Sequence, residues 1–179
     1  MADALVQRIR NRIRDVPDFP QPGIIFKDIT PVLADAALLT DIVQHFADQF
    51  AGEQVGLVAG IESRGFIFGA PLAVALGAGF APLRKPGKLP WRSLRVDYAL
   101  EYGTDSLEAH VDAIQPGERV LVVDDLLATG GTASGAVDLV RRLRGTLVAT
   151  AFVVELAFLR GRERLGNIPI QSLVSYDGS

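Results

Sequence analysis

The stretch Val120-Leu121-Val122-Val123-Asp124-Asp125-Leu126-Leu127-Ala128-Thr129-Gly130-Gly131-Thr132-Ala133 decides how the rest of the chain is read. Four apolar residues, three of them Val, predict a buried strand of a parallel sheet. Two carboxylates close it. A small hydroxyl-rich loop follows, Ala128 to Thr132, and then an amphipathic helical pattern through Ala133, Ala136, Val137, Val140 and Leu143. The loop suits a phosphate. Gly130 and Gly131 let the backbone turn sharply and approach a ligand, Thr129 and Thr132 add hydroxyl donors, and the open N–H groups of a helix start attract an anion. Asp124 and Asp125, at the C-terminal end of a strand, face the crevice where open α/β sheets bind ligands, and carboxylates accept hydrogen bonds from a sugar diol.

Other readings of this stretch fail on detail. Gly-x-Gly-x-x-Gly is absent and the acidic pair precedes the loop, so it is no dinucleotide fingerprint. No Lys follows the glycines, as a Walker A loop needs, and a Walker B strand would have no partner loop. A plain glycine turn between a core strand and a core helix has no need of two carboxylates, two Thr and two Gly in that order. The chain of 179 residues is predicted to form one domain, divided into an N-terminal helix and hood over 1–34 and a core over 35–179. Its net charge of −3 argues against a nucleic-acid partner. It has no Cys, hence no thiolate metal site. No run of about 18 apolar residues predicts a membrane span, and a cytoplasmic location is expected.

The N-terminus, Met1 to Arg14, reads as an amphipathic helix with Leu5, Ile9 and Ile13 on one face. Three prolines and a glycine between Pro20 and Pro31 then exclude helix. That segment still carries Phe19, Ile24, Ile25, Phe26 and Ile29, so it is either a loop packed on the core or a lid that presents Phe26 to a flat ligand. Thr30-Pro31 predicts an N-cap with proline behind it, and Asp35 opens a helix whose core face is Leu38, Leu39, Ile42, Val43, Phe46 and Phe50. His45 on this helix is expected to be exposed, and neither it nor His110 is given a catalytic role.

Val55 to Ala59 predicts a second strand. It leads into Gly60-Ile61-Glu62-Ser63-Arg64-Gly65-Phe66 and a helix to about Leu76. The loop is either an ordinary turn with a surface Arg or an anion site in which the Arg64 fork meets phosphate oxygens. Gly79 to Leu83 is the next strand. Arg84, Lys85 and Lys88, broken by Pro86-Gly87, form the densest basic spot of an acidic chain: a solvated loop or a clamp for a multiply charged anion. Ser93 to Val111 reads as a two-stranded excursion with Gly103 at its tip, mobile without a ligand. Thr146 to Glu155 is a buried strand, Leu156 to Leu165 an Arg-rich connection, and Ile168 to Ser175 an edge strand, since Pro169 cannot serve a central one.

VLVVDDLLATGGT over 120–132 resembles the phosphoribosyl-pyrophosphate signature of the type I phosphoribosyltransferases, and its DDLLATGGT form is similar to that of the members that use adenine. Four further elements match. Residues 19–29 resemble the family's Phe-Pro-x-Pro-Gly-x-x-Phe-[Arg or Lys]-Asp-Ile hood. The resemblance implies that Phe26 stacks on the purine while the backbone around Ile25 and Lys27 reads its edge, with Leu126 also at the base. The loop with Glu62, Ser63 and Arg64 is implied to bind pyrophosphate and to hold a cis peptide at Glu62-Ser63. Arg84, Lys85 and Lys88 are implied to hold pyrophosphate as well, some of these groups reaching a neighbouring subunit's site. Glu101, followed by Tyr102 and Gly103, matches the acidic residue of the family's flexible catalytic loop.

The fold implied is α/β, a mostly parallel central sheet flanked by helices, with a small N-terminal hood and a flexible two-stranded loop. The implied reaction is purine salvage: adenine plus phosphoribosyl pyrophosphate gives AMP and pyrophosphate. Asp124 and Asp125 would hold the ribose, and residues Ala128, Thr129, Gly130, Gly131 and Thr132 the 5′-phosphate. Glu101 would manage the purine proton. Magnesium is implied, held mainly through substrate oxygens and water, so no residue is named as a metal ligand. A homodimer is implied too. Two alternatives stand: the same chemistry on hypoxanthine, guanine or xanthine, and a non-catalytic sensor of the ribosyl pyrophosphate.

Overall fold

The structure, a computed structural model, describes residues 2–99 and 103–178. Strands β3 (Leu57–Ile61), β4 (Gly79–Leu83), β7 (Arg119–Leu127), β8 (Thr146–Leu156) and β9 (Ile170–Tyr176) form one sheet in the order β4-β3-β7-β8-β9. Every neighbouring pair in it is parallel. The loops after β3, β4 and β7 therefore leave from one edge of three adjacent strands. β9 is an edge strand, with Pro169 just outside it.

The pleat sends alternate residues of β7 to opposite faces. Leu121 and Val123 pack with Leu5, Ile9, Ile42, Phe46, Phe68 and Leu72 in one core, beneath α1 (Ala2–Arg12), α3 (Ala36–Phe50) and α4 (Arg64–Leu76). Val120 and Val122 pack with Ala136, Leu139, Val140 and Leu143 on the other face, beneath α5 (Gly131–Arg142). That second face has one long helix. The remainder is covered by a hairpin of β5 (Ser93–Ala99) and β6 (Thr104–His110), antiparallel from Ser93↔His110 to Ala99↔Thr104. Its Val96, Tyr98, Leu107 and Ala109 are buried in the same core. The predicted excursion is thus packed down along its inner face, because alternation gave it a full apolar side.

Three local expectations shift. The first strand of the sheet runs Leu57–Ile61, two residues later than the pattern predicts, and Gly60 pairs with Pro82 inside the sheet. β7 continues through both carboxylates to Leu127, and α5 begins at Gly131. The short α2 (Thr30–Leu33) has Ile29 at its N-cap position. Asp28 does the capping chemistry instead, accepting hydrogen bonds from the Thr30 amide and hydroxyl, both at 2.9 Å. Asp35 caps α3 as expected, taking the Leu38 amide at 3.0 Å.

The hood contains strands the sequence does not announce. β1 (Arg14–Pro17) pairs antiparallel with β2 (Ile25–Asp28). Four-residue strands are too short to show a period through the prolines. Ile29 anchors the segment in the main core, but Phe19 is 50% exposed and Ile25 38% exposed, so its tip is not packed down. Of the two sequence readings of this segment, the lid is the one the exposure favours.

Candidate functional site

A cavity of about 210 Å³ opens at the C-terminal edge of the sheet, lined by Arg64 and by residues 124–133. β7 delivers the carboxylates, and α5 starts at Gly131 with no side-chain cap. Its first N–H groups and the positive end of its dipole are open to an anion. Gly130 is left-handed, with φ of +80°, and a Cβ there would lie 2.4 Å from the Gly161 carbonyl oxygen. Gly161 answers in kind: its Cβ would lie 2.2 Å from the Ala128 oxygen. The loop is therefore set by backbone against backbone, with no side chain between.

The two carboxylates differ. Asp125 is 4% exposed and its carboxylate is paired with Arg64. Asp124 is half-buried and accepts the Asp125 amide at 2.8 Å. Burial first, and then the neighbouring Asp125 carboxylate, push the Asp124 carboxyl well above the ordinary carboxylate range. Two carboxyls held this close at a crevice suit a ligand that brings compensating positive charge and hydroxyl donors, which lets both ionise.

Arg64 opens α4, directly after the Glu62–Ser63 peptide, which is cis. Glu62 organises the basic cluster. Its carboxylate pairs with Lys88, meets Arg84 Nε at 3.4 Å and accepts the Lys85 amide at 2.9 Å. Burial alone would raise its pKa, but Lys88, the Lys85 amide and Arg84 outweigh it and hold the carboxyl below its usual range. Lys85 is held by Asp105 and by the Tyr98 hydroxyl at 2.8 Å, both from the hairpin. Burial works against that ammonium, yet Asp105 and Tyr98 raise its pKa. Each cation of the cluster has a carboxylate partner that a polyanion could displace.

The hood meets the crevice through Arg64, whose guanidinium carbon lies 5.8 Å from the centre of the Phe26 ring. Phe19 packs edge-on against that ring at 5.2 Å. Ile25 lies exposed beside it, and Leu126 lines the cavity. The Lys27 side chain goes elsewhere: it is buried, bonds Asp15 Oδ1 at 2.8 Å and lies 4.4 Å over the Tyr176 ring. Only its backbone is left to meet a ligand. Glu101, with Leu100 and Tyr102, lies outside the described residues. His45 is half-buried, not exposed as expected, and neither His lines the cavity.

The structure thus brings Arg64, Asp124, Asp125, Leu126, Ala128, Thr129, Gly130, Gly131 and Thr132 into one cavity wall. It gathers Arg84, Lys85 and Lys88 around Glu62. Asp105, Tyr98, Asp15 and Gly161 are the partners that sequence reading did not find. Their signal is a contact across the fold, which no local spacing carries.

The phosphoribosyl transferase domain family matches residues 29–167 of this chain. An adenine phosphoribosyltransferase from an Anaeromyxobacter species is 58% identical over 173 residues, covering 97% of this chain and 98% of that protein. One from Thermobifida fusca is 54% identical, covering 91% and 93%. The crystal structure of the Thermoanaerobacter pseudethanolicus adenine phosphoribosyltransferase superposes with a TM-score of 0.93 at 51% identity, over 96% of this chain and 99% of that one. That of the Saccharomyces cerevisiae enzyme, complexed with an imino-altritol bisphosphate and adenine, gives 0.90 at 39% identity, over 96% and 99%. With four elements of sequence, a five-stranded parallel sheet and these relatives in agreement, the chain belongs to the adenine phosphoribosyltransferase family.

Proposed function

We propose that this protein transfers the 5-phosphoribosyl group from phosphoribosyl pyrophosphate to adenine, giving AMP and pyrophosphate in purine salvage. One observation carries the assignment: Arg64 joins three parts in one crevice, lining the cavity with the glycine loop, pairing with Asp125 and lying over Phe26. In this reading the α5 start and residues 128–132 bind the 5′-phosphate. Asp124 and Asp125 hold the ribose hydroxyls and favour positive charge on the sugar. The bond from the anomeric carbon to pyrophosphate oxygen breaks as the bond to the purine nitrogen forms, through an oxocarbenium-like state. Arg64, Arg84, Lys85 and Lys88, with the backbone at Glu62 and Ser63, receive the departing pyrophosphate, the electrostatic contribution that is usually the largest. Phe26 stacks on adenine, the backbone at Ile25 and Lys27 reads its edge, and Leu126 packs beside it. Glu101 is assigned the proton that the purine gives up.

Magnesium would be carried by the oxygens of the substrate and by water. The carboxylates nearby are committed, Glu62 to the basic cluster and Asp125 to Arg64. Such a donor set fits a cation that keeps its waters, which would supply neutralising charge to the diphosphate. We also read the chain as one domain, 1–179, with the hood over 1–34 and the core over 35–179; α1 supplies Leu5 and Ile9 to the main core in support. A homodimer is supported by the exposed apolar Ile67 and Val74, which lie two turns apart on α4. A cytoplasmic location follows the family likeness; among the described residues no helix is long and apolar enough to cross a membrane.

The test is pyrophosphate release in the presence of magnesium and phosphoribosyl pyrophosphate, with adenine, guanine, hypoxanthine or xanthine offered separately. Release with adenine alone is expected. Release with another base overturns the reading of the hood, and no release with any base overturns the transfer itself.

A further inference from the structure

Glu155 is an unexpected residue for its place. It is 4% exposed and lies near the C-terminal end of β8, paired in register with Leu127 of β7, at the same edge of the sheet as the cavity. The proposed reaction gives it nothing to do. A buried carboxylate needs partners, and it has them: Arg162 Nε at 2.6 Å, Arg162 Nη2 at 2.7 Å and the Ser172 hydroxyl at 2.5 Å. Burial would raise the Glu155 pKa, but the Arg162 and Ser172 bonds outweigh it and hold the carboxyl low.

Arg162 belongs to α6 (Gly161–Leu165), whose first and last residues both bear on the site. Its first residue, Gly161, is the one whose backbone abuts Ala128 and Gly130. Leu165, its last, is buried with Leu127, Ala133, Val137 and Phe152 beneath the loop. Arg164 Nη1 donates to the Ala99 carbonyl at 2.7 Å. One five-residue helix therefore bears on the 5′-phosphate loop through both its first and its last residue. Apolar packing could hold such a helix in place as stably as a buried ion pair does. The two-pronged Glu155–Arg162 fork adds a fixed angle and height.

We propose that α6 is a strut: the Glu155–Arg162 fork positions the 5′-phosphate loop through the Gly161 backbone. Glu155 and Arg162 are positioning residues for the transfer and touch no substrate. The assignment of roles rests on the function proposed above, and the two can fail separately.

Steady-state kinetics on purified variants, with each substrate varied in turn, test it. Small misplacements of a site are costly, with about 1 Å costing on the order of a hundredfold. Glu155→Gln is expected to raise the KM for phosphoribosyl pyrophosphate by about tenfold, with the KM for adenine held within about twofold. Arg162→Lys keeps the charge, loses the fork and should give the same split; it also stands in for Glu155→Gln if that variant does not fold. Lowered melting temperatures with both KM values and kcat unchanged would overturn the strut and leave a purely structural ion pair. If the wild-type protein forms no AMP, the transfer reading fails; calorimetric binding of magnesium phosphoribosyl pyrophosphate to the same variants then decides the strut, with unweakened binding at Arg162→Lys overturning it.

Discussion

The phosphate loop and the hood flank one crevice and are built on opposite principles. The loop is backbone set against backbone: Gly130 and Gly161 leave no room for a Cβ, β7 ends beneath it and α5 begins from it. The hood is a hairpin of two four-residue strands whose Phe19 and Ile25 remain exposed. A phosphate is the same in every nucleotide, so its site can be fixed in advance and spend no free energy on ordering when the ligand arrives. A base must be chosen among similar rings. Its site is left with apolar groups uncovered, and the ligand itself completes the burial.

Substitutions can break that contrast, beginning with the carboxylate between the two regions. Asp125→Asn removes the charge beside the sugar and the partner of Arg64. Turnover should fall by on the order of a hundredfold or more, with far-ultraviolet circular dichroism unchanged; near-normal kcat would remove Asp125 from the mechanism. Gly130→Ala attacks the preformed loop, since its φ is +80° and the new Cβ would press on the Gly161 oxygen. The backbone alone costs about 1–2 kcal/mol. The KM for phosphoribosyl pyrophosphate should rise more than that for adenine, alongside a lower melting temperature. Phe26→Ala attacks the hood. Loss of stacking, about 0.5–1.5 kcal/mol beyond burial, should raise the adenine KM by roughly fivefold, read against the KM for the ribosyl pyrophosphate. Equal effects on both would make Phe26 structural.

The smallest effect concerns stability. Burial and the neighbouring Asp125 push the Asp124 carboxyl well above the ordinary carboxylate range in the fold. A raised carboxyl pKa contributes stability below the unfolded value and loses it as pH rises through the folded one. Ionised Asp124 therefore weighs against the ligand-free fold at neutral pH. Asp124→Asn should raise the melting temperature at pH 7, the gain shrinking as pH falls toward the ordinary carboxylate range. A variant less stable at pH 7 would reverse the assigned sign.

The sheet and the loop were legible in the sequence because each announces itself locally. Gly79–Leu83 is an apolar run of strand length, and Asp124 to Thr132 is a motif whose spacing survives in the structure. The two-stranded excursion read from Ser93 to Val111 is there as β5 and β6, but Val96 and Tyr98 are buried where mobility was expected. What stayed hidden depends on partners distant along the chain. Lys85 looks like a free cation until Asp105 and Tyr98 fold onto it, and no local pattern tells that the Lys27 ammonium goes to Asp15 and leaves only its backbone toward the crevice. Glu155 ends an ordinary apolar strand pattern, and Arg162 sits in what reads as an Arg-rich connection; only the fold pairs them.

The contrast between a ready loop and an incomplete hood is tested most directly by calorimetry of magnesium phosphoribosyl pyrophosphate binding to the wild-type protein and to Phe26→Ala, without adenine. Binding of equal strength to both, within about twofold, is the expected result, because the sugar-phosphate site stands without the hood. A loss in Phe26→Ala as large as its loss of adenine affinity would mean that the two regions form together, and that neither is set in advance.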